Sequence, residues 1–157
     1  MIEEVANEVL QSLDGLFAAD DAFDNAFVTP GPPAWDCQQI TLHMGNLRHS
    51  GPFTEGQGRP LKAGHPAVPT VDFIITTLRC IAVQDDSGRS PDPDVIAADG
   101  ARLLRDADIL WYGTLGLITT DSLVTSVFCP TMTMVGLVPV GPSGGLAGHQ
   151  LTIRTTL

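Results

Sequence analysis

The stretch Val71-Asp-Phe-Ile-Ile-Thr-Thr-Leu-Arg-Cys-Ile-Ala-Val83 decides the fold. In an extended chain, Val71, Phe73, Ile75, Ile81 and Val83 fall on one face, and Ile74, Leu78, Cys80 and Ala82 on the other. Apolar residues on both faces predict a central strand covered on both sides. Within it Cys80 reads as a buried thiol, a small apolar filler. Asp85–Pro93 is a turn. Asp92 suits an N-cap and Pro93 the first helical position, which predicts a helix over Pro93–Tyr112. Val95, Ile96, Leu103, Leu104, Ala107, Leu110 and Trp111 give that helix a broad buried face, and Gly113 and Gly116 stand where it should stop.

On the other side of the central strand, Gly45–Pro69 reads as one long loop. Its glycines and prolines exclude regular structure, and loops of this length are usually functional or disordered. Before it, Trp35–Met44 alternates as a strand with one wet face, Ile40, Leu42 and Met44 opposing Gln39, Thr41 and His43. Ile2, Val5, Ala6, Val9, Leu10, Leu13, Leu16 and Phe17 recur at helical spacing, predicting an N-terminal amphipathic helix of about four turns. Ala18–Pro33 is a connection with a short strand around Ala26–Thr29. Toward the C-terminus, Leu117–Cys129 is ambiguous between helix and strand. Met132–Val140 and Gln150–Leu157 read as strands joined across the glycine-rich turn Gly141–Gly148. The whole, residues 1–157, is a single α+β domain: a mainly antiparallel mixed sheet backed by two helices.

Composition narrows function. The formal charge is −10, with eight basic residues against eighteen acidic ones. Seven arginines and the lone Lys62 are spread along the chain, which argues against sequence-specific nucleic-acid binding. An acidic wall along a DNA passage repels rather than grips, so DNA moving through a lumen is compatible with this charge. The charged fraction of 17% is low for a soluble domain and suits a subunit that covers its neutral surface with copies or partners. No apolar run is long enough for a membrane span, and the acidic N-terminus lacks the features of a signal peptide. Cys37, Cys80 and Cys129 are odd in number with no C-x-x-C, so the expectation is a protein made in a reducing cytoplasm, without cofactor or metal.

Three constellations invite chemistry, and each fails on spacing or context. Cys37, His43 and His49 are six residues apart, about 20 Å per step along a strand, so they do not converge on a metal. Gly141-Pro-Ser143-Gly144-Gly145 matches the G-x-S-x-G nucleophile elbow formally. That motif needs a strand–turn–helix, however, whereas a strand follows here, which leaves a Ser143 hydrolase as a remote alternative. The acidic pairs Asp20-Asp21, Asp85-Asp86 and Asp92-x-Asp94 do not complete a calcium loop. The remaining candidates are contact residues. Arg48, His49, Phe53, Arg59 and Lys62 form a basic, aromatic-bearing segment in the long loop, and Pro142, Ser143, Gly144 and Gly145 the hairpin tip.

Several stretches together resemble a family. They are Ala34-Trp-Asp-Cys-Gln-Gln-Ile-Thr-Leu42, Val71-Asp-Phe-Ile-Ile-Thr-Thr-Leu-Arg-Cys80, the helix start Pro91–Arg105, and Pro139-Val-Gly-Pro-Ser-Gly-Gly-Leu-Ala-Gly148 running into Gln150-Leu-Thr-Ile-Arg-Thr. In their order along most of the chain they are similar to tail terminators or neck proteins of long-tailed siphoviruses that infect actinobacteria. The resemblance implies an α/β sandwich and a virion protein of the neck end of the tail. It implies a homo-oligomeric ring of six copies that caps the major tail tube protein and offers a surface to a neck or head-completion protein. It implies no catalytic residue. A head–tail connector or stopper is the alternative within assembly. A small monomeric binding protein directed at the host is the alternative outside it.

Overall fold

A computed structural model describes residues 2–18, 22–50, 68–124 and 131–156. Helix α1 (Ile2–Phe17) opens the chain, with Glu3 and Glu4 in its first turn at the positive end of the dipole. Its apolar stripe buries Val5, Ala6, Val9, Leu10, Leu13 and Phe17. Strands β1 (Asn25–Thr29), β2 (Gln39–Ser50) and β3 (Val68–Cys80) follow. Helix α2 (Pro93–Asp108) passes through a π-helical turn, Ile109–Gly113, into α3 (Thr114–Thr119). Strands β4 (Thr131–Ser143) and β5 (Leu146–Thr156) close the chain.

The five strands form one sheet in the order β1-β2-β3-β5-β4. Only β1–β2 is parallel, and the other three pairings are antiparallel. This is the mixed, largely antiparallel α+β sheet expected, with β3 at its centre. The core lies between the helices and one face, where Ile40 and Leu42 of β2 meet Val71, Phe73 and Ile75 of β3 and Leu151 and Ile153 of β5. Alternation places Gln39, Thr41, His43, Thr70, Asp72, Thr76 and Leu78 on the opposite face, outside that core cluster yet also buried. Both sides of β3 are therefore covered, as its sequence demands.

The face of β2 expected to be wet is instead buried at Gln39, Thr41 and His43, and the strand starts at Gln39 rather than Trp35. Four further sequence expectations need correction. The long loop is shorter than 45–69. A bulge at Gly45, where a Cβ would lie 2.6 Å from Ile74 Cδ1, lets β2 run on to Ser50, and β3 begins at Val68. Among the described residues Pro69 pairs with His49 of β2, and the β3–β5 ladder starts at Thr70. Second, β3 ends at Cys80 rather than Val83. The N–H groups of Ile81 and Ala82 turn instead to the Gly145 carbonyl (2.8 Å) and the Asp99 carboxylate (2.7 Å).

Third, the second helix does not stop at Gly113 or Gly116 but runs unbroken from Pro93 to Thr119. Gly113 is a packing position: a Cβ there would come 2.7 Å from Leu16 Cδ1 of α1. The buried face expected over Pro93–Tyr112 is confined to its C-terminal part, where Leu110 is buried and Trp111 packs against the core. Asp106 is the one residue of α2 that is fully buried, while Val95, Ile96 and Leu104 are exposed. Leu117–Thr119 completes α3, and residues 125–130 of the ambiguous segment lie outside the described residues. Fourth, Cys80 is exposed, not a buried thiol, and is disulfide-bonded to Cys37.

Candidate functional site

The described members of the two groups of residues expected to make contacts fall toward opposite ends of the sheet. At one end, β4 continues through Pro142 to Ser143, which pairs with Leu146, and the turn itself is Gly144-Gly145. Both glycines have positive φ, +57° and +79°, as a tight two-residue hairpin of the type I′ class requires. Gly141, at φ +83°, sits in a bulge whose Cβ position would lie 2.5 Å from the Leu146 carbonyl, so only glycine fits there. The sequence pattern placed Pro142 and Ser143 in the turn, but this bulge carries the strand past them. Ser143 is an exposed strand residue beside a hairpin, not the apex of a strand–turn–helix.

At the other end, Arg48 lies exposed on β2, paired in register with Thr70, and not in a loop. His49 follows on the same strand, opposite Pro69. Phe53, Arg59 and Lys62 lie outside the described residues. Arg48 shares the second face with Asp72, whose carboxylate accepts Arg154 Nε at 2.7 Å and Nη2 at 3.0 Å. The hydrogen bond from Arg154 holds the Asp72 carboxyl below its usual range, aided by the charges of Arg154 and Arg48 and by a hydrogen bond from Asn46. Thr70, the register partner of Arg48, lies ten residues or roughly 33 Å along β3 from Cys80 at the strand's other end.

Close to the hairpin end lies a cluster that sequence reasoning missed. Arg79 is fully buried, and its Nε and Nη2 reach the two carboxylate oxygens of Asp106 at 2.8 and 3.1 Å. Its Nη1 donates to Gln38 Oε1 at 2.7 Å, an oxygen that also accepts Arg102 Nη2 at 3.3 Å. The guanidinium lies 3.8 Å from the centroid of Phe23, which in turn packs edge-on against Phe17 at 4.9 Å. A single chain of contacts thus runs from α1 through the sheet to α2. A lone arginine in an apolar strand, followed by a helix with an inward aspartate, was the available signal. No local motif links residues 27 positions apart.

The long helix exposes several apolar side chains. Val95, Ile96, Leu104, Tyr112 and Leu115 project outward, Leu104 being 71% and Tyr112 67% exposed. Edge strand β4 carries no charged residue over Thr131–Ser143 and exposes Val135 and Val138. An open cavity of about 360 Å³ lies between α3 and β4, lined by Leu117, Ile118, Leu123, Val124 and Met132, with Asp121 and Thr131 at its polar margin.

Two histidines are shielded without an evident task. His43 is buried on the second face and His149 is half-buried on the core face, and neither Nδ1 has a hydrogen-bond partner. Burial lowers both pKa values below 6.5, for His149 against an opposing pull from Asp106. Of the Cys37–His43–His49 set, Cys37 is held in the disulfide and His43 is buried on the second face. Among the described residues no group of three His, Cys, Asp or Glu side chains could hold a metal. Among those residues, too, no helix is long and apolar enough to cross a membrane. No protein-family model matches the chain, and a comparison with curated proteins finds no match.

Proposed function

We propose that the chain is a structural subunit of a long-tailed virion, a tail terminator. Copies close into a six-membered ring at the neck end of the tail, cap the major tail tube protein and present a second surface to a neck or head-completion protein. The observation that carries this reading is the polarity of the sheet. Toward its two ends, at positions separated by roughly 33 Å along β3 from Thr70 to Cys80, it exposes different chemistry: an uncharged glycine-rich hairpin at one and the cationic Arg48 at the other. A terminator needs such polarity, because one ring face must match the tube and the other must not. Head-to-tail contacts that close a circle use two different patches on each subunit. The exposed apolar side chains of the long helix and the uncharged β4 edge are the surfaces that lateral contacts would cover. The acidic balance suits a lumen through which DNA passes without sticking.

Native mass spectrometry of the purified protein, alone and mixed with tail tubes, tests this reading. A ring-sized species, or one that forms on tubes and stops their growth, supports it. A protein that stays monomeric in both conditions overturns it.

A further inference from the structure

Cys37 and Cys80 occupy matched positions on neighbouring strands. The last ladder pair of β2 and β3 is Gln39 with Leu78, and the two cysteines lie two residues beyond it on each side. Their Cα atoms are 5.0 Å apart, within the range a disulfide requires. The ladder holds the two thiols together whether or not they are bonded. Cys80 is exposed and Cys37 half-buried, so small thiol reagents reach the pair.

The residues between the cysteines and the ladder are Gln38 and Arg79, two members of the buried cluster. Gln38 adopts φ +54°, a left-handed conformation that a residue with a side chain takes at some cost. In that conformation its carbonyl accepts the N–H groups of Asp24 (2.9 Å) and Asn25 (3.2 Å), which start β1. Its side chain meanwhile accepts Arg79 and Arg102. A covalent link beside Gln38 therefore constrains both the first turn of β1 and the attachment of α2.

We propose that Cys37 and Cys80 are a reversible redox site: a dithiol under reducing conditions, and a staple that locks β1 and α2 to the sheet once oxidised. Its reaction partner is a small-molecule disulfide. The Cys80 thiolate attacks one sulfur of the reagent and expels one thiol, forming a mixed disulfide. The Cys37 thiolate then attacks the Cys80 sulfur and expels the second. Two protein thiols give up two electrons and two protons, and the reagent is reduced to two thiols. A dithiol reverses both steps. A protein made in a reducing cytoplasm and released into an oxidising medium gains the staple on release. This inference does not depend on the assembly reading.

The test uses the full-length protein equilibrated over a range of oxidised-to-reduced glutathione ratios, quenched with acid, alkylated and peptide-mapped. The expected result is one two-electron transition that yields a linked Cys37–Cys80 peptide pair and is reversed by dithiothreitol. Closing a loop of 43 residues should raise the thermal midpoint of the oxidised form by roughly 10 °C over the reduced form. Amide exchange should slow at Asp24, Asn25 and along α2. The Cys37→Ala/Cys80→Ala variant should match the reduced protein and ignore the ratio; if that variant does not fold, the two redox forms of the wild type are compared directly. Cysteines that alkylate at every ratio, a link to Cys129, or equal midpoints and exchange in the two redox states would overturn the proposal.

Discussion

Removing either partner of the Arg79–Asp106 pair should cost far more than removing both. Their side chains are 1% and 3% exposed, and the bidentate contact is 2.8 and 3.1 Å. In Arg79→Met the Asp106 carboxylate is left buried without its cation. In Asp106→Leu the guanidinium loses its bidentate carboxylate while keeping Gln38 Oε1 and the face of Phe23 among its partners. Breaking a buried pair by removing one partner costs about 3–5 kcal/mol, whereas replacing both by packed apolar groups is often neutral or stabilising. The double variant should therefore lie within about 1 kcal/mol of wild type, giving a coupling energy of several kcal/mol in a double-mutant cycle. Urea unfolding with linear extrapolation measures each corner, and each single variant should lose roughly 10 °C in thermal midpoint. Single losses below about 1 kcal/mol, or a double loss equal to their sum, would refute the role given to this pair.

Other predictions follow from close contacts and burial. A Cβ at Gly148 would lie 1.8 Å from the Thr77 carbonyl oxygen, so Gly148→Ala must push β5 from β3; we expect a loss of about 3 kcal/mol, read as a fall in thermal midpoint, and an unchanged midpoint would contradict the packing. Burial lowers the pKa of His43 and His149 in the folded chain below the 6.5 of the unfolded chain, so unfolding takes up protons. Stability should thus fall as pH drops through 6.5, and a His43→Gln/His149→Gln variant should flatten that dependence in pH-resolved thermal melts. Asp72 has a folded pKa below its unfolded value of 3.8, so its contribution is present above that pH and lost as pH falls further; Asp72→Asn should remove that acid-side decline.

The sheet was legible because its signals are local. Two-faced apolarity marked β3 as central, and the stripe from Val5 to Phe17 marked α1. The ends of elements were not, because tertiary contacts set them. The bulge at Gly45 extends β2 beyond the point where glycine suggests a stop, and the bulge at Gly141 does the same for β4. Gly113 looked like a helix terminator because its packing role against Leu16 lies across the fold. Helix α2 has an apolar pattern that predicts burial, yet it docks through Asp106 and leaves Ile96 and Leu104 outside. Of the contact residues, Arg48 and the hairpin tip are placed at opposite ends of the sheet. The disulfide was missed for the same reason as the arginine cluster, since partners 43 residues apart leave no mark in sequence spacing.

The most direct test of the assembly reading is a density map of purified particles at a resolution that allows this chain to be traced. The account predicts a ring of copies at the neck end of the tail tube, with the Gly144-Gly145 hairpin and the Arg48 strand end facing opposite ways along the tube axis. Particles that lack the chain, or that hold it anywhere other than between tube and head, would contradict it.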